Sequence, residues 1–176
     1  MKPVCLVLGA GAGIGGTVAT KFAQEGYHSS LCRRSDKEGL DRLVNNIKDQ
    51  GGSANGYLMN AIEDNAIEDV IASIELDIGP IEVLVYNLGA QTGMKLLEQT
   101  SHKEFEWGWR MASFGLFRAA KVLCPLMVER GKGTFLVTSA TAAMRGNRNQ
   151  HSHAAAMGAR RMLCQSLNAE FSLQGI

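Results

Sequence analysis

Short apolar runs alternate with longer stretches of helical spacing along the whole chain. The run "VCLVLG" (4–9) is continuously apolar and bounded by glycine, as suits a strand buried on both faces. Helical spacing follows from Thr17 to Gln24 and stops at Gly26, and "YHSSLC" (27–32) reads as a second strand. "SDKEGLDRLVNNIKDQGG" (35–52) opens with Ser35 and Glu38 spaced as a capping box, places Leu40, Leu43, Val44 and Ile47 on one face, and ends at Gly51 and Gly52. "SANGYLMN" (53–60) is a weaker third strand, and Ile67, Val70, Ile71 and Ile74 mark another amphipathic helix. "IEVLVYN" (81–87) and "GTFLVTS" (133–139) are the fourth and fifth strands. Between them Phe105 to Arg130 predicts a helix of about 26 residues, roughly 39 Å long. It is apolar on more than one side, as when one face covers a sheet and another meets a partner subunit. A last long helix opens at "QHSHAAAMGARRM" (150–162).

Strand and helix in regular alternation predict an α/β fold of three layers, α/β/α. We expect a doubly wound parallel sheet of five strands in the order 3-2-1-4-5. Ligands of such sheets bind at the carboxyl ends of the strands, near the point where strand order reverses. The chemistry of this chain is therefore to be sought just after each strand.

Composition narrows the classes. A chain of 176 residues, 45% apolar and 20% charged, is expected to form one soluble domain, residues 1–176. Eighteen basic against seventeen acidic residues give a net charge of +1, which draws neither nucleic acid nor an anionic membrane. Cys5, Cys32, Cys124 and Cys164 are scattered without metal spacing and read as buried thiols of a reducing compartment. The first apolar run is too short for a signal peptide, so a cytoplasmic location is expected.

"LGAGAGIGGT" (8–17) follows the first strand. Its glycines allow close approach to a diphosphate, and the helix N-terminus beyond offers N–H groups and partial positive charge. Two registers fit: Gly11, Gly13 and Gly16 spell G-x-G-x-x-G, whereas Gly9, Gly13 and Gly15 spell G-x-x-x-G-x-G. A Walker A loop would need a Lys-Ser/Thr pair after the last glycine, and Gly16-Thr17 supplies none. At the end of the second strand an acid would hold a ribose diol, but the chain reads Cys32-Arg33-Arg34. Guanidinium groups suit a 2′-phosphate, so NADP(H) is expected ahead of NAD(H). The bland alternative is a pair of solvated surface arginines.

After the fourth strand comes "VYNLGAQ" (85–91), in which Asn87 can brace the central strand and Gly89 lets backbone line a cleft. With the register Gly9-x-x-x-Gly13-Ile14-Gly15, this stretch resembles the "NNAG" motif of the short-chain dehydrogenase/reductase family. Asn87 and Gly89 match its second Asn and its Gly. "PLMVERGKGTFLVTS" and "LCQSLNAEFSLQGI" continue the likeness, which spans essentially the whole chain.

The resemblance implies a Rossmann-type fold and hydride transfer between NAD(P)H and a carbonyl or alcohol. It implies a Tyr as general acid/base, a Lys that lowers the Tyr pKa and holds the nicotinamide ribose, a Ser that polarises the substrate oxygen, and a long-helix Asn that keeps a relay water. Carried onto this chain, Tyr-x-x-x-Lys falls on His153 to Met157, the Ser on Ala140 with Ser139 beside it, and the Asn on Ala112. The adenine-side Asp falls on Asn60, followed by Ala61. All four catalytic positions are substituted, which marks a divergent member. The family also runs on past the point where this chain stops, adding two strands and a nicotinamide loop, so a fragment of a longer reading frame is one expectation.

The "HSH" stretch keeps three readings. Ser152 can cap the last helix. His153 can donate a proton, because imidazole titrates near neutrality. His151 and His153 as metal ligands lack a nearby Cys, Asp or Glu, so no metal site is expected. Trp107 and Trp109 are expected in core and interface, and Arg145, Arg148, Arg160 and Arg161 on solvated faces. Three functions stand: an NADP(H)-dependent oxidoreductase of an unnamed small carbonyl substrate, with His153 or a water in the Tyr role and Ser139 beside it; a nucleotide-sensing or assembly protein without turnover; or a fragment. A homodimer or homotetramer through the two last long helices is the expected assembly.

Overall fold

A computed structural model describes residues 2–89 and 93–176. Five parallel strands, β1 (Val4–Leu8), β2 (His28–Arg33), β3 (Ser53–Leu58), β4 (Ile81–Tyr86) and β5 (Thr134–Val137), form one sheet in the order β3-β2-β1-β4-β5. This is the order expected from the alternation of elements. β1 is central and buried along its whole length, and Val7 pairs with Leu31 on one side and Val85 on the other.

Alternation of side chains along the strands divides the core. Cys5, Val7, Leu31 and Val85 face α1 (Ile14–Gln24) and α2 (Lys37–Asp49). Val4, Leu6, Leu8 and Leu84 face α3 (Ala66–Asp77) and α5 (Gly115–Arg130). The helices α4 (His102–Trp109) and α6 (His151–Phe171) complete the second layer. β2 and β4 flank β1, and the crossovers through α1 to β2 and through α3 to β4 lie on opposite faces, which leaves a crevice above the carboxyl end of β1.

Three helix starts differ from the sequence reading. α1 begins at Ile14, because Gly15 and Gly16 are themselves helical and buried. The Ser35–Glu38 box does not form; Asp36, at φ 62°, caps α2 by accepting a 2.9 Å hydrogen bond from the Gly39 N–H. The long helix starts at His102, where Ser101 and Glu104 make the capping box instead.

The long helix is also not regular. Arg110–Phe114 is a π-helical turn joining α4 to α5, and such turns leave main-chain carbonyls free of the helical ladder. His102–Arg130 is apolar and long enough to cross a membrane by composition, yet most of its apolar window is buried inside the protein. Trp107 packs against the core, while Trp109 lies exposed with its ring stacked 5.1 Å from that of Phe114. Cys5, Cys32 and Cys124 are buried and Cys164 is half-buried; all four are free thiols.

Candidate functional site

The glycine loop owes its shape to backbone packed on backbone. Gly9 has φ +92°, and a Cβ there would lie 2.6 Å from the Asn87 carbonyl oxygen. A Cβ on Gly15 would collide with the Gly9 carbonyl, and one on Gly16 would stand 2.5 Å from the Gly11 carbonyl. Gly13 differs: a Cβ there would meet nothing within 4 Å. Gly13 is also the N-cap of α1 and carries no side-chain cap, and Ile14 beside it is 63% exposed. The loop thus folds tightly on Gly9, Gly15 and Gly16 and opens outward at Gly13, toward the side where the helix dipole is positive.

At the end of β2, Arg33 is half-buried and donates to Asp36 Oδ2 at 2.8 Å. One of its terminal nitrogens lies 4.0 Å from where a Gly11 Cβ would be, so the guanidinium stands against the glycine loop. Arg34 points to solvent. Arg33 also lines a groove of about 410 Å³ with Ala12, Asp36, Gly39, Arg42, Leu43 and Asn46. Arg42 was not singled out in the sequence. Its signal was helical spacing, since Gly39, Arg42, Leu43 and Asn46 share one face of α2.

Beyond β3, the Asn60 side-chain amide donates to Glu63 Oε1 at 3.0 Å, while its side-chain oxygen Oδ1 is buried without a partner. Ala61 is buried, and its carbonyl accepts from Arg118 at 3.0 Å. Beyond β4, the Asn87 side chain donates to the Gly9 carbonyl at 3.0 Å and joins two strand ends. Gly89 is exposed and faces open space. Ala90 and Gln91, which close the quoted stretch, lie outside the described residues.

The far end of the cleft is built around the π turn. Tyr86 donates to the Met111 carbonyl at 2.5 Å, and only a glycine at 115 leaves room for its phenol. Arg160, expected at a solvated face, is instead 2% exposed. Its Nε donates to the Ala112 carbonyl at 2.8 Å, Nη1 to the Thr138 carbonyl at 3.0 Å and Nη2 to the Leu88 carbonyl at 2.6 Å. Its guanidinium also lies 5.2 Å from the centre of the Tyr86 ring. Burial pushes the Arg160 pKa down, yet an arginine remains charged there. Arg145 and Arg148 are exposed and Arg161 is half-buried, so the expectation fails at Arg160, whose side chain finds three main-chain carbonyl oxygens.

α6 carries the remaining candidates. Its N-cap is Gln150, and Ser152 does not cap it: the buried Ser152 hydroxyl donates to the Glu104 carbonyl at 3.1 Å and ties α6 to α4. Lys95 pairs with the Glu104 carboxylate, which together with hydrogen bonds from Ser101 holds that carboxyl down to about 2. His153 is half-buried, and its Nδ1 has no partner. Met157 packs with Ala112 and Ala156 in a small apolar cluster. Ser139 is exposed at the end of β5, and Ala140 is half-buried against the Ala112 cluster.

Residues 3–176 match the family described as short chain dehydrogenase. The 3-oxoacyl-(acyl-carrier-protein) reductase FabG of Thermotoga maritima is 30% identical over 152 residues, which are 86% of this chain and 61% of that protein. The 2,3-dihydro-2,3-dihydroxybenzoate dehydrogenase of Bacillus subtilis is 27% identical over 169 residues, 96% of this chain and 64% of that one. This chain therefore spans less than two thirds of the length of either relative. A gluconate 5-dehydrogenase from Burkholderia cenocepacia, solved with NADP and tartrate, is similar with a TM-score of 0.89 at 25% identity, over 100% of this chain and 69% of that one.

Proposed function

The chain belongs to the short-chain dehydrogenase family, and from that membership we propose that it binds NADP(H) and acts as an oxidoreductase on a small carbonyl or alcohol. The observation that carries the cofactor reading is the position of Arg33, set between the open glycine loop and a groove that also holds Arg42. Two guanidinium groups line the groove against one lining carboxylate, that of Asp36, with the exposed Glu38 3.7 Å from Arg42 outside it, and this favours a 2′-phosphate over a bare ribose diol. NAD(H) is the second choice.

The residues present fit such a cofactor. Gly13 and Gly89 leave space that no side chain fills, and the unpartnered Asn60 oxygen suits an exocyclic amino group. Gly9, Gly11, Gly13, Ile14 and Gly15 would cradle the diphosphate, Arg33 and Arg34 the 2′-phosphate side, Asn60 and Ala61 the adenine, and Asn87 and Gly89 the wall toward the nicotinamide. The reduced cofactor supplies hydride to a carbonyl carbon.

The protein must then protonate the alkoxide. Our candidate for this is the half-buried His153 on the first turn of α6; its Nδ1 is itself buried without a partner, so the proton would pass through Nε2. Ser139, two residues past the end of β5, offers an exposed hydroxyl to polarise the same oxygen. Met157 brings no charge, so the His153 imidazole works without a neighbouring lysine. Cytoplasmic residence and a homodimer or homotetramer through the long helices complete the proposal, with the exposed Trp109 and Phe117 stacked on half-buried Phe114 as a contact face.

Calorimetric titration with NADPH and NADH, followed by turnover across aldehydes and ketones, tests it. Micromolar NADPH binding with measurable oxidation is the expected result. Binding without turnover on any carbonyl would leave a nucleotide sensor, and no binding would remove the oxidoreductase reading altogether.

A further inference from the structure

Arg160 is a buried cation whose partners are all neutral. Its three hydrogen bonds end on carbonyl oxygens, and no carboxylate pairs with it among the described residues. The titratable side chains whose fields reach it are the Tyr86 phenol and the Cys164 thiol. Burial pushes both groups up, so neither carries a charge near neutral pH. A full positive charge thus stands in a low-dielectric place without a counter-ion, where its field reaches further than in water.

The location is set by the three acceptors. Leu88 precedes Gly89 at the end of β4, Thr138 precedes Ser139 at the end of β5, and Ala112 lies on the π turn. One guanidinium fixes the peptide groups leading into both cleft-lining segments. The order β3-β2-β1-β4-β5 then fixes which end of a dinucleotide comes here. With its 2′-phosphate at β2 and its diphosphate at β1, its nicotinamide half must extend over β4 and β5. The oxidised nicotinamide ring is a cation and the reduced ring is neutral.

We propose that Arg160 is a positioning residue whose uncompensated charge makes the cleft bind the reduced cofactor more tightly than the oxidised one. This rests on the NADP(H) reading above. One charge–charge term in a partly buried site is enough for a preference of roughly tenfold.

The test is calorimetry of the purified protein with NADPH, NADP⁺ and 2′-phospho-ADP-ribose, which has the adenosine and diphosphate but no nicotinamide. The native chain should bind NADPH roughly tenfold more tightly than NADP⁺. Arg160→Met should bring the two within about twofold, while Arg160→Lys should keep the preference, and neither should alter 2′-phospho-ADP-ribose binding. A residue that only held the fold together would weaken all three ligands alike. Arg160→Gln, neutral but able to donate to a carbonyl, serves if the methionine variant does not fold. Equal affinity of the native chain for both cofactor forms overturns the inference while leaving the NADP(H) reading intact, as does a preference that survives Arg160→Met. Failure to bind any of the three ligands overturns both.

Discussion

The side-chain amide of Asn87 donates to the carbonyl oxygen of Gly9 at 3.0 Å, joining positions 78 residues apart. Gly9 in turn sits so close to the Asn87 main chain that no side chain would fit. The end of β4 and the glycine loop after β1 are therefore one clasp. Asn87→Ala should cost about 1 kcal/mol of stability, because the Gly9 carbonyl loses its side-chain donor and keeps only the Gly11 N–H at 3.0 Å. It should also weaken NADPH binding several-fold, because the loop loses its brace. Urea denaturation and calorimetry read the two effects, and an unchanged midpoint would show the clasp to be idle.

Two glycines of the loop should separate folding from binding. Gly15 has the Gly9 carbonyl where a methyl group would go, whereas Gly13 faces open space. Gly15→Ala should cost about 1–3 kcal/mol, which lowers Tm by several degrees in a domain of this size. Gly13→Ala should keep its Tm and lose most of its NADPH affinity. Thermal melts beside titrations decide; a Gly13→Ala protein that binds normally would mean that the diphosphate lies elsewhere.

Arg33 and Arg34 should also part. Arg33 is half-buried beside the glycine loop and Arg34 points to solvent. Arg33→Ala should reduce NADPH affinity by roughly 10- to 100-fold, the worth of a charge-assisted hydrogen-bonded pair, and leave NADH affinity nearly unchanged. Arg34→Ala should have the smaller effect. Equal losses for NADPH and NADH would place Arg33 away from the 2′-phosphate.

The sequence made the sheet legible because period and punctuation are local: apolar runs ending in glycine and amphipathic stretches between them sufficed for five strands in order. The glycine loop and Asn87 were legible for the same reason, through spacing. Arg160 was not, because its burial depends on carbonyls on the π turn at Arg110–Phe114 and past the ends of β4 and β5. A run such as "GARRM" gives no hint which arginine points inward. Ser152 was misread likewise: its partner is the Glu104 carbonyl, 48 positions away, and not its own helix.

Glu68 and Arg118 tie α3 to α5 through two hydrogen bonds of 2.8 and 2.5 Å, with Arg118 nearly buried. The Arg118 guanidinium holds the Glu68 carboxyl below its usual range. A carboxyl lowered in the folded state adds stability above its unfolded pKa, about 4.3, and the gain fades as pH falls through the lower native value. Glu68→Gln should therefore cost about 1–2 kcal/mol at pH 7, discounted for its partial exposure. The gap to the native chain should close below pH 4, as followed by denaturation at a series of pH values. A gap independent of pH would show that the charge on Glu68 contributes nothing.

By the sequence resemblance the family's Ser, Tyr and Lys fall on Ala140, His153 and Met157, and restoring them tests the proposed chemistry. A lysine at 157 would enter the cluster with Ala112 and Ala156, one turn from Arg160 on the same helix. Two cations so close in an apolar setting repel, and the lysine would shed its proton first. Ala140→Ser, His153→Tyr and Met157→Lys together should therefore raise kcat/KM little while Arg160 remains. Adding Arg160→Leu should raise it by roughly 10²-fold, the usual scale of general acid–base catalysis. Full activity in the triple variant would show that Arg160 does not oppose a neighbouring charge. If neither set exceeds the native rate, the imidazole of His153 is already the competent acid.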